Sequence, residues 1–102
     1  MTTQKWRALV RNLRKHFPLD APVRVHRRPA KRNHGITTFD GRTFRIYVNS
    51  DQDKTGQVDT LLHEWAHALA ISQAYAHGPQ WSVNFAAIYT LWASNFNAPH
   101  TD

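Results

Sequence analysis

Apolar residues recur at helical spacing in three stretches of the chain and alternate with polar residues in three others. In the first stretch, residues 3 to 17, large apolar side chains lie three or four positions apart, with lysine and arginine between them: Trp6, Leu9, Val10, Leu13 and Phe17. This period predicts an amphipathic helix over residues 3 to 16 with one buried face. Thr2 or Thr3 can cap the start of the helix, and Pro18 ends it.

Short runs with a period of two predict a small β-sheet. Residues 23 to 26 alternate as expected of a strand with one buried face. Residues 36 to 39 and 42 to 48 are β-rich and flank Asp40-Gly41, which predicts a hairpin with a type I′ turn centred on these two residues. The second hairpin strand should turn alternate side chains toward and away from the core. The inward set is Phe44, Ile46 and Val48, and the outward set is Arg45 and Tyr47.

Two apolar helices are predicted in the second half of the chain, the first from about residue 57 to 73. Its apolar side chains share one side of the helix with Ser72: Val58, Leu61, Leu62, Trp65, Ala68 and Leu69. His63 and His67 lie nearly opposite, beside Ala66 and Ala70, whose small side chains should leave room around the imidazoles. Pro79 suits the first position of the second helix, which should reach about residue 95 and pack an aromatic stripe into the core.

The order of these elements predicts a single α+β domain over residues 1–102, with an N-terminal helix, a small three-stranded sheet that contains the hairpin, and two further helices. Residues 1–34 contain the basic helix, a strand and a loop, and residues 35–96 contain the hairpin and the two apolar helices. The chain has no cysteine, which excludes disulfides and thiolate metal sites. It has no signal-peptide pattern and no apolar run of the ~18 residues that a bilayer requires. We therefore expect a soluble, cytoplasmic protein with no membrane partner, and the sequence predicts no oligomeric state.

Positive charge is concentrated in the first half of the chain. Residues 1–45 hold twelve Lys/Arg and two Asp, a balance of +10, whereas residues 46–102 hold one Lys and five Asp/Glu, a balance of −4. This asymmetry predicts an anionic partner, with DNA first among the candidates; the alternative is a solvated basic face that keeps the protein soluble. The predicted nucleic-acid contacts lie in and after the first strand: Arg24, Arg27, Arg28, Lys31 and Arg32.

The sequence His63-Glu64-Trp65-Ala66-His67 has the form His-Glu-x-x-His and lies within the predicted helix. Residues four apart lie about 40° apart on one face of a helix, so that two imidazoles can bind the same ion. Hydrolytic zinc sites commonly use three protein ligands and a water molecule, and a glutamate beside that water can accept its proton. Glu64 is the only glutamate of the chain. The motif therefore predicts a catalytic site that holds one Zn²⁺.

Zinc requires one more protein donor, and the sequence offers several. Downstream of the motif these are His77, His100 and Asp102; upstream, His26 and His34 are usable in principle, although each stands alone. His77 fits best, because it lies on a turn ten residues beyond the second histidine, from which it can fold back over the metal.

The order of these parts resembles the SprT-like zincins, a family of zinc metallopeptidases that includes the Spartan proteases. The matching segments are ITTFDGRTFRIYVNS, LLHEWAHALA and HGPQW at the start of a hydrophobic helix, and they cover about residues 35 to 92. The resemblance implies a minimal zincin-like domain in which His63, His67 and His77 bind zinc and Glu64 is the general base. Two features depart from the family: the interval between His67 and His77 is short, and there is no cysteine zinc ribbon.

The implied activity is zinc-dependent hydrolysis of peptide bonds in a protein or peptide substrate, including DNA-associated proteins. An edge strand of the sheet, from the hairpin, should hold the substrate extended. Because the ligand imidazoles must be neutral, metal and activity should be lost below about pH 6. The phenols available to stabilise the oxyanion are those of Tyr47, Tyr75 and Tyr89, each of which is more often a packing residue.

Three other functions compete with this interpretation. A nucleic-acid-binding protein with a structural zinc site would suit the basic half but would have no use for Glu64. A cell-wall peptidase would suit a basic chain acting on an anionic envelope, but the sequence shows no export signal. A zincin-like endoribonuclease is disfavoured because that group lacks the glutamate of the motif.

Overall fold

Helices and strands follow one another in the order α-β-β-β-α-α. The protein was analysed as a computed structural model that describes residues 2–72 and 79–95, with side chains described at residues 2–71, 83–90 and 93. The elements are α1 (Thr3–His16), β1 (Val23–Arg28), β2 (Gly35–Phe39), β3 (Phe44–Asn49), α2 (Lys54–Ser72) and α3 (Pro79–Asn95). The predicted α+β layout of three helices and a three-stranded sheet is confirmed. No helix within the described ranges combines the length and the apolar character needed to cross a bilayer.

The sheet is mixed, with the strand order β1-β3-β2. From β1 the chain crosses to the far edge, where β2 lies, and returns through the hairpin to the centre. β3 therefore pairs in parallel with β1, with Val23 opposite Phe44, and antiparallel with β2, with Gly35 opposite Val48. The predicted alternation of β3 is confirmed, since Phe44, Ile46 and Val48 are buried and the residues between them are partly exposed. β1 and β2 are thus the two edge strands of the sheet, and each pairs with the central strand β3.

The hairpin turn lies one residue later than predicted. The β2–β3 ladder ends at the pair Phe39–Phe44, and the amide of Asp40 donates to the carbonyl of Thr43 at 3.4 Å, which makes Gly41 and Arg42 the central residues. Gly41 has a φ of 91°, a conformation that glycine adopts at no steric cost. The predicted centre at Asp40-Gly41 is therefore wrong, because the Asp40 side chain caps the turn instead.

The side chain of Asp40 binds the backbone of this turn. Its carboxylate accepts hydrogen bonds from the amides of Arg42 and Thr43, each at 2.8 Å, and forms an ion pair with Arg45 at 2.7 Å. The Arg45 hydrogen bond, followed by the two amides, lowers the pKa of Asp40 from 3.8 to about 2. Arg45 is therefore paired within the hairpin.

α1 has the predicted bounds and the predicted buried face. The hydroxyl of Thr2 accepts a hydrogen bond from the amide of Lys5 at 3.1 Å and caps the first turn. Four buried side chains of α1 form one core with α2 and the inner face of the sheet: Trp6, Leu9, Val10 and Leu13. The indole of Trp65 donates to the carbonyl of Phe17 at 3.0 Å, which fixes the end of α1 against α2.

α2 begins one turn earlier than predicted and is buried on more than one side. The carboxylate of Asp53 accepts from the amide of Gly56 at 2.7 Å, so that residues expected to form a loop are the capped first turn. Ala66 and Ala70 are fully buried, because α2 packs against the sheet and against α3. The two alanines therefore belong to the buried side of α2, while His63 and His67 beside them stay partly exposed. β1 also extends two residues further than predicted, to Arg28.

Candidate metal centre

Two histidines and one glutamate converge on one side of α2, and the glutamate contacts β2. The Nε2 atoms of His63 and His67 lie 3.0 Å apart, and a carboxylate oxygen of Glu64, Oε2, lies 4.0 Å from Nε2 of His63. Among the described residues, these form the one group of three donors close enough together to bind a single ion. Glu64 is 7% exposed, whereas both histidines are half-buried, so that the imidazoles are within reach of a ligand from solvent. The predicted pair of histidines and the predicted base thus lie together.

The spacing of these donors fits a zinc ion. Two imidazole nitrogens bound to one tetrahedral zinc at about 2.0–2.1 Å lie about 3.3 Å apart. The observed 3.0 Å between the Nε2 atoms is within a few tenths of an ångström of that separation. Burying a carboxylate is costly unless it has partners, and a divalent cation near Oε2 of Glu64 would supply the opposite charge. The donor set therefore suits zinc, with further positions left for another protein ligand and for water.

Thr37 of β2 holds the catalytic candidate Glu64 in place. Its hydroxyl lies 2.6 Å from Oε1 of Glu64 and 3.1 Å from the backbone carbonyl of the same residue. A hydroxyl has one hydrogen to donate, and the shorter contact to the carboxylate is the charge-assisted one. Oε1 of Glu64 is therefore hydrogen-bonded to β2, and Oε2 is the carboxylate oxygen nearer to His63.

An open pocket of about 600 Å³ lies over the cluster. Its wall includes His63 and Glu64 from α2, Gly35 at the start of β2, and Phe85 and Tyr89 from α3. The ring of Phe85 lies 5.9 Å from that of His63, centroid to centroid, and the two rings are nearly perpendicular. The pocket thus runs between the edge strand and α3, and two of the three donors, His63 and Glu64, line it.

Gly35 sets the distance between β2 and α2. A Cβ atom at this position would lie 2.4 Å from Cγ2 of Thr60 and 3.0 Å from both Cγ of Glu64 and the carbonyl oxygen of Tyr47. Because two packed elements meet here, neither can move freely. Any side chain at residue 35 would push the edge strand away from the helix that carries the donors.

A matched set of variants tests this contact. We expect Gly35→Ala to lower the free energy of unfolding by about 1–3 kcal/mol through overpacking. Thr60→Ser removes the methyl group that a Cβ at residue 35 would meet and keeps the hydroxyl that donates to Gln52 at 3.0 Å. In urea unfolding, the double variant should be more stable than the sum of the two single effects predicts. Strict additivity would show that the two residues do not compete for space.

The other described candidate ligands do not join this group. His77 and the phenol of Tyr75 lie outside the described residues. His26 lies on the opposite face of the sheet, where its ring stacks on that of Tyr47 at 5.2 Å between centroids, so neither side chain faces the cluster. His34 borders the pocket but does not belong to the three-donor group. Of the phenols considered for the oxyanion, Tyr89 is the described one that lines the pocket.

The predicted nucleic-acid contacts are divided by the pleat of β1. Arg24 and Arg28 are exposed on the outer side of the sheet. Arg27 points to the inner side, where its guanidinium carbon lies 4.5 Å from the ring centroid of Trp6 on α1. Lys31 and Arg32 are exposed in the loop that follows β1. The set therefore contains four exposed cations outside the core and one arginine that packs against a helix.

Sequence reasoning missed the two β2 residues that support the cluster. Gly35 and Thr37 are two positions apart, so both lie on the side of β2 that faces α2. The order of apolar and polar residues in GITTF specifies neither this side of β2 nor which strand lies beside the helix. That pairing follows only from the strand order.

No protein-family model, curated protein sequence or solved structure matched this chain.

Proposed function

We propose that the protein is a zinc-dependent metallopeptidase of the kind its motifs resemble, a minimal SprT-like zincin that acts in the cytoplasm. The observation that carries the proposal is the 3.0 Å separation of the His63 and His67 Nε2 atoms beside the buried carboxylate of Glu64. A structural zinc site requires no carboxylate near the metal, whereas hydrolysis requires a base there. The proposed third ligand is His77.

Glu64 is the proposed general base. When bound, zinc supplies Lewis acidity that makes a nearby water easier to deprotonate and polarises the scissile carbonyl. Oε2 of Glu64 takes the proton of the attacking water and delivers it to the leaving amine, while Oε1 stays hydrogen-bonded to Thr37. The two oxygens thus have different tasks: one orients the carboxylate, and the other carries the proton.

β2 is the proposed binding edge for an extended peptide. The amide of Asn49 donates to the carbonyl of His34 at 2.8 Å, and bonded and non-bonded pairs alternate along an antiparallel ladder. The backbone groups of Gly35, Thr37 and Phe39 therefore point away from β3, toward the open edge. A peptide added at this edge would run beside the pocket and the side chain of Glu64.

Zinc content measured together with casein cleavage tests the proposal. We expect one zinc per chain, cleavage that EDTA abolishes, and recovery of cleavage when zinc is restored. Zinc binding with no cleavage of casein or of a peptide library would favour the nucleic-acid-binding protein with a structural zinc site. Release of peptidoglycan fragments without casein cleavage would favour the cell-wall peptidase.

Thr37→Val should lower kcat about tenfold or more, because loss of a hydrogen bond to a charged group costs about 1.5–3 kcal/mol. The change preserves the shape of the side chain and removes only the hydroxyl. Zinc content and KM should stay close to wild type, since the imidazoles and the substrate edge are unchanged. Thr37→Ser keeps the hydroxyl and should retain activity within about threefold of wild type. Equal losses in the valine and serine variants would show that Thr37 acts through packing alone.

A further inference from the structure

The side of the sheet opposite α1 and α2, here called the outer sheet face, remains open in the described part of the chain. It is formed by alternate residues of the three strands: Arg24, His26 and Arg28 of β1, Ile36 and Thr38 of β2, and Arg45 and Tyr47 of β3. All three β1 residues are exposed, and Ile36 is 41% exposed. A sheet face that carries cations and planar rings in contact with solvent has the chemistry of a binding surface rather than of a core.

Planar groups are stacked at the centre of this face. The ring of His26 lies 5.2 Å from that of Tyr47, with 18° between their planes. The guanidinium carbon of Arg28 lies 4.2 Å from the centroid of the same tyrosine ring. Nucleic-acid bases stack on aromatic side chains and on guanidinium planes, and this stacking tolerates any sequence because every base has a π-face. The outer sheet face thus already holds the kind of stack that an unpaired base can extend.

The basic loop beside this face is anchored rather than free. The side-chain amide of Asn49 donates to the carbonyls of Ala30 and Asn33, at 2.9 and 3.1 Å, and its oxygen accepts from the amide of Ala30 at 3.1 Å. Asn49 lies two residues after Tyr47 on the same strand, so the loop is held next to the stacked rings. Lys31 and Arg32, both exposed, therefore extend the row of cations that begins in β1.

We propose that the outer sheet face binds single-stranded nucleic acid. Phosphates would contact the four exposed cations: Arg24, Arg28, Lys31 and Arg32. Unpaired bases would stack on the group formed by His26, Tyr47 and Arg28. A duplex would not suit this surface, because its bases are already stacked on one another. The proposal does not depend on the peptidase activity, since Glu64 and the two histidines lie on the other side of the sheet.

Fluorescence anisotropy with labelled oligothymidylate, oligouridylate and a duplex of equal length tests the proposal. The full chain should bind the single strands more tightly than the duplex, and comparison of the two single strands shows whether DNA or RNA is preferred. Four phosphate contacts predict a slope of about −2.8 for log K against log salt, which is roughly a 50-fold weakening between 50 and 200 mM. Tyr47→Leu should weaken binding of single strands about fivefold or more, with the salt slope unchanged.

Two charge reversals of equal size provide the control. Arg24→Glu with Arg28→Glu should weaken binding at least 30-fold, whereas Arg7→Glu with Arg11→Glu, on exposed positions of α1, should change it less than threefold. Circular dichroism melting shows whether each variant folds. If the Arg24→Glu, Arg28→Glu variant does not fold, the Arg24→Gln, Arg28→Gln pair replaces it. Equal losses in both reversals, equal affinity for duplex and single strands, or no wild-type binding at 50 mM salt would each overturn the proposal. Zinc removal should leave the affinity unchanged, which separates this result from failure of the peptidase proposal.

Discussion

Glu64→Gln is expected to lower kcat by about 10²–10⁴-fold while the chain still binds one zinc ion, because general-base catalysis typically contributes a factor of this size. The amide has the shape of the carboxylate and can still accept a hydrogen bond from Thr37 at Oε1. What it loses is the ability to take a proton at the oxygen that lies 4.0 Å from His63. Single-turnover cleavage of a fluorogenic peptide, measured beside zinc content, separates this chemical loss from loss of the metal.

Asp51→Asn is the matched control for this substitution. It is also a change from acid to amide, and it lies at an exposed position in the loop before α2. Its kcat should stay within about twofold of wild type. A Glu64→Gln variant that cleaves at nearly the wild-type rate would remove Glu64 from the mechanism, and a variant without zinc would assign it to metal binding instead.

Loss of the proposed third ligand should produce a large change in metal affinity. We expect His77→Ala to weaken zinc binding more than 100-fold, since even changes in residues that only support ligands cost about 10–100-fold. The geometry permits this role: α2 ends five residues after His67, and the chain reaches about 17 Å over the next five residues. Competition with a chromogenic chelator measures the affinity directly, in the absence of substrate.

Two further variants, His67→Ala and His100→Ala, are the positive and negative controls for this result. The first removes a donor of the described cluster and should weaken zinc binding as strongly as His77→Ala does. The second removes an alternative downstream donor and should have little effect. If His77→Ala binds zinc with wild-type affinity while His100→Ala loses it, the ligand set includes residue 100, and the resemblance to SprT-like zincins loses its most specific element.

Local periodicity was sufficient to predict which elements form and which faces of α1 and β3 are buried. The spacing of Trp6, Leu9 and Leu13 predicted α1, and the alternation in β3 predicted its inner face; both are confirmed. The His-Glu-x-x-His spacing brought His63 and His67 together because a helix repeats every 3.6 residues, whatever surrounds it. The reliable part of the prediction is therefore the part that depends on near neighbours in the chain.

Contacts between distant segments could not be predicted in this way. The hydrogen bond from Thr37 to Glu64 joins residues 27 positions apart and depends on which strand lies at the edge beside α2. The burial of Ala66 and Ala70 depends on α3 packing against α2, which the pattern within α2 does not specify. Likewise, the charge count grouped Arg27 with Arg24 and Arg28, but the pleat of β1 turned it toward Trp6.

The two margins of the sheet differ in how readily they accept another strand. β1 carries three arginines and a histidine among its six residues, and charged side chains on an outer strand discourage unwanted pairing. β2, with the sequence GITTF, carries no charge at all. We therefore expect two copies of the protein to pair through β2 at high concentration, and such dimers would block the margin proposed to bind a peptide. Dilution should then raise the specific activity of a concentrated preparation.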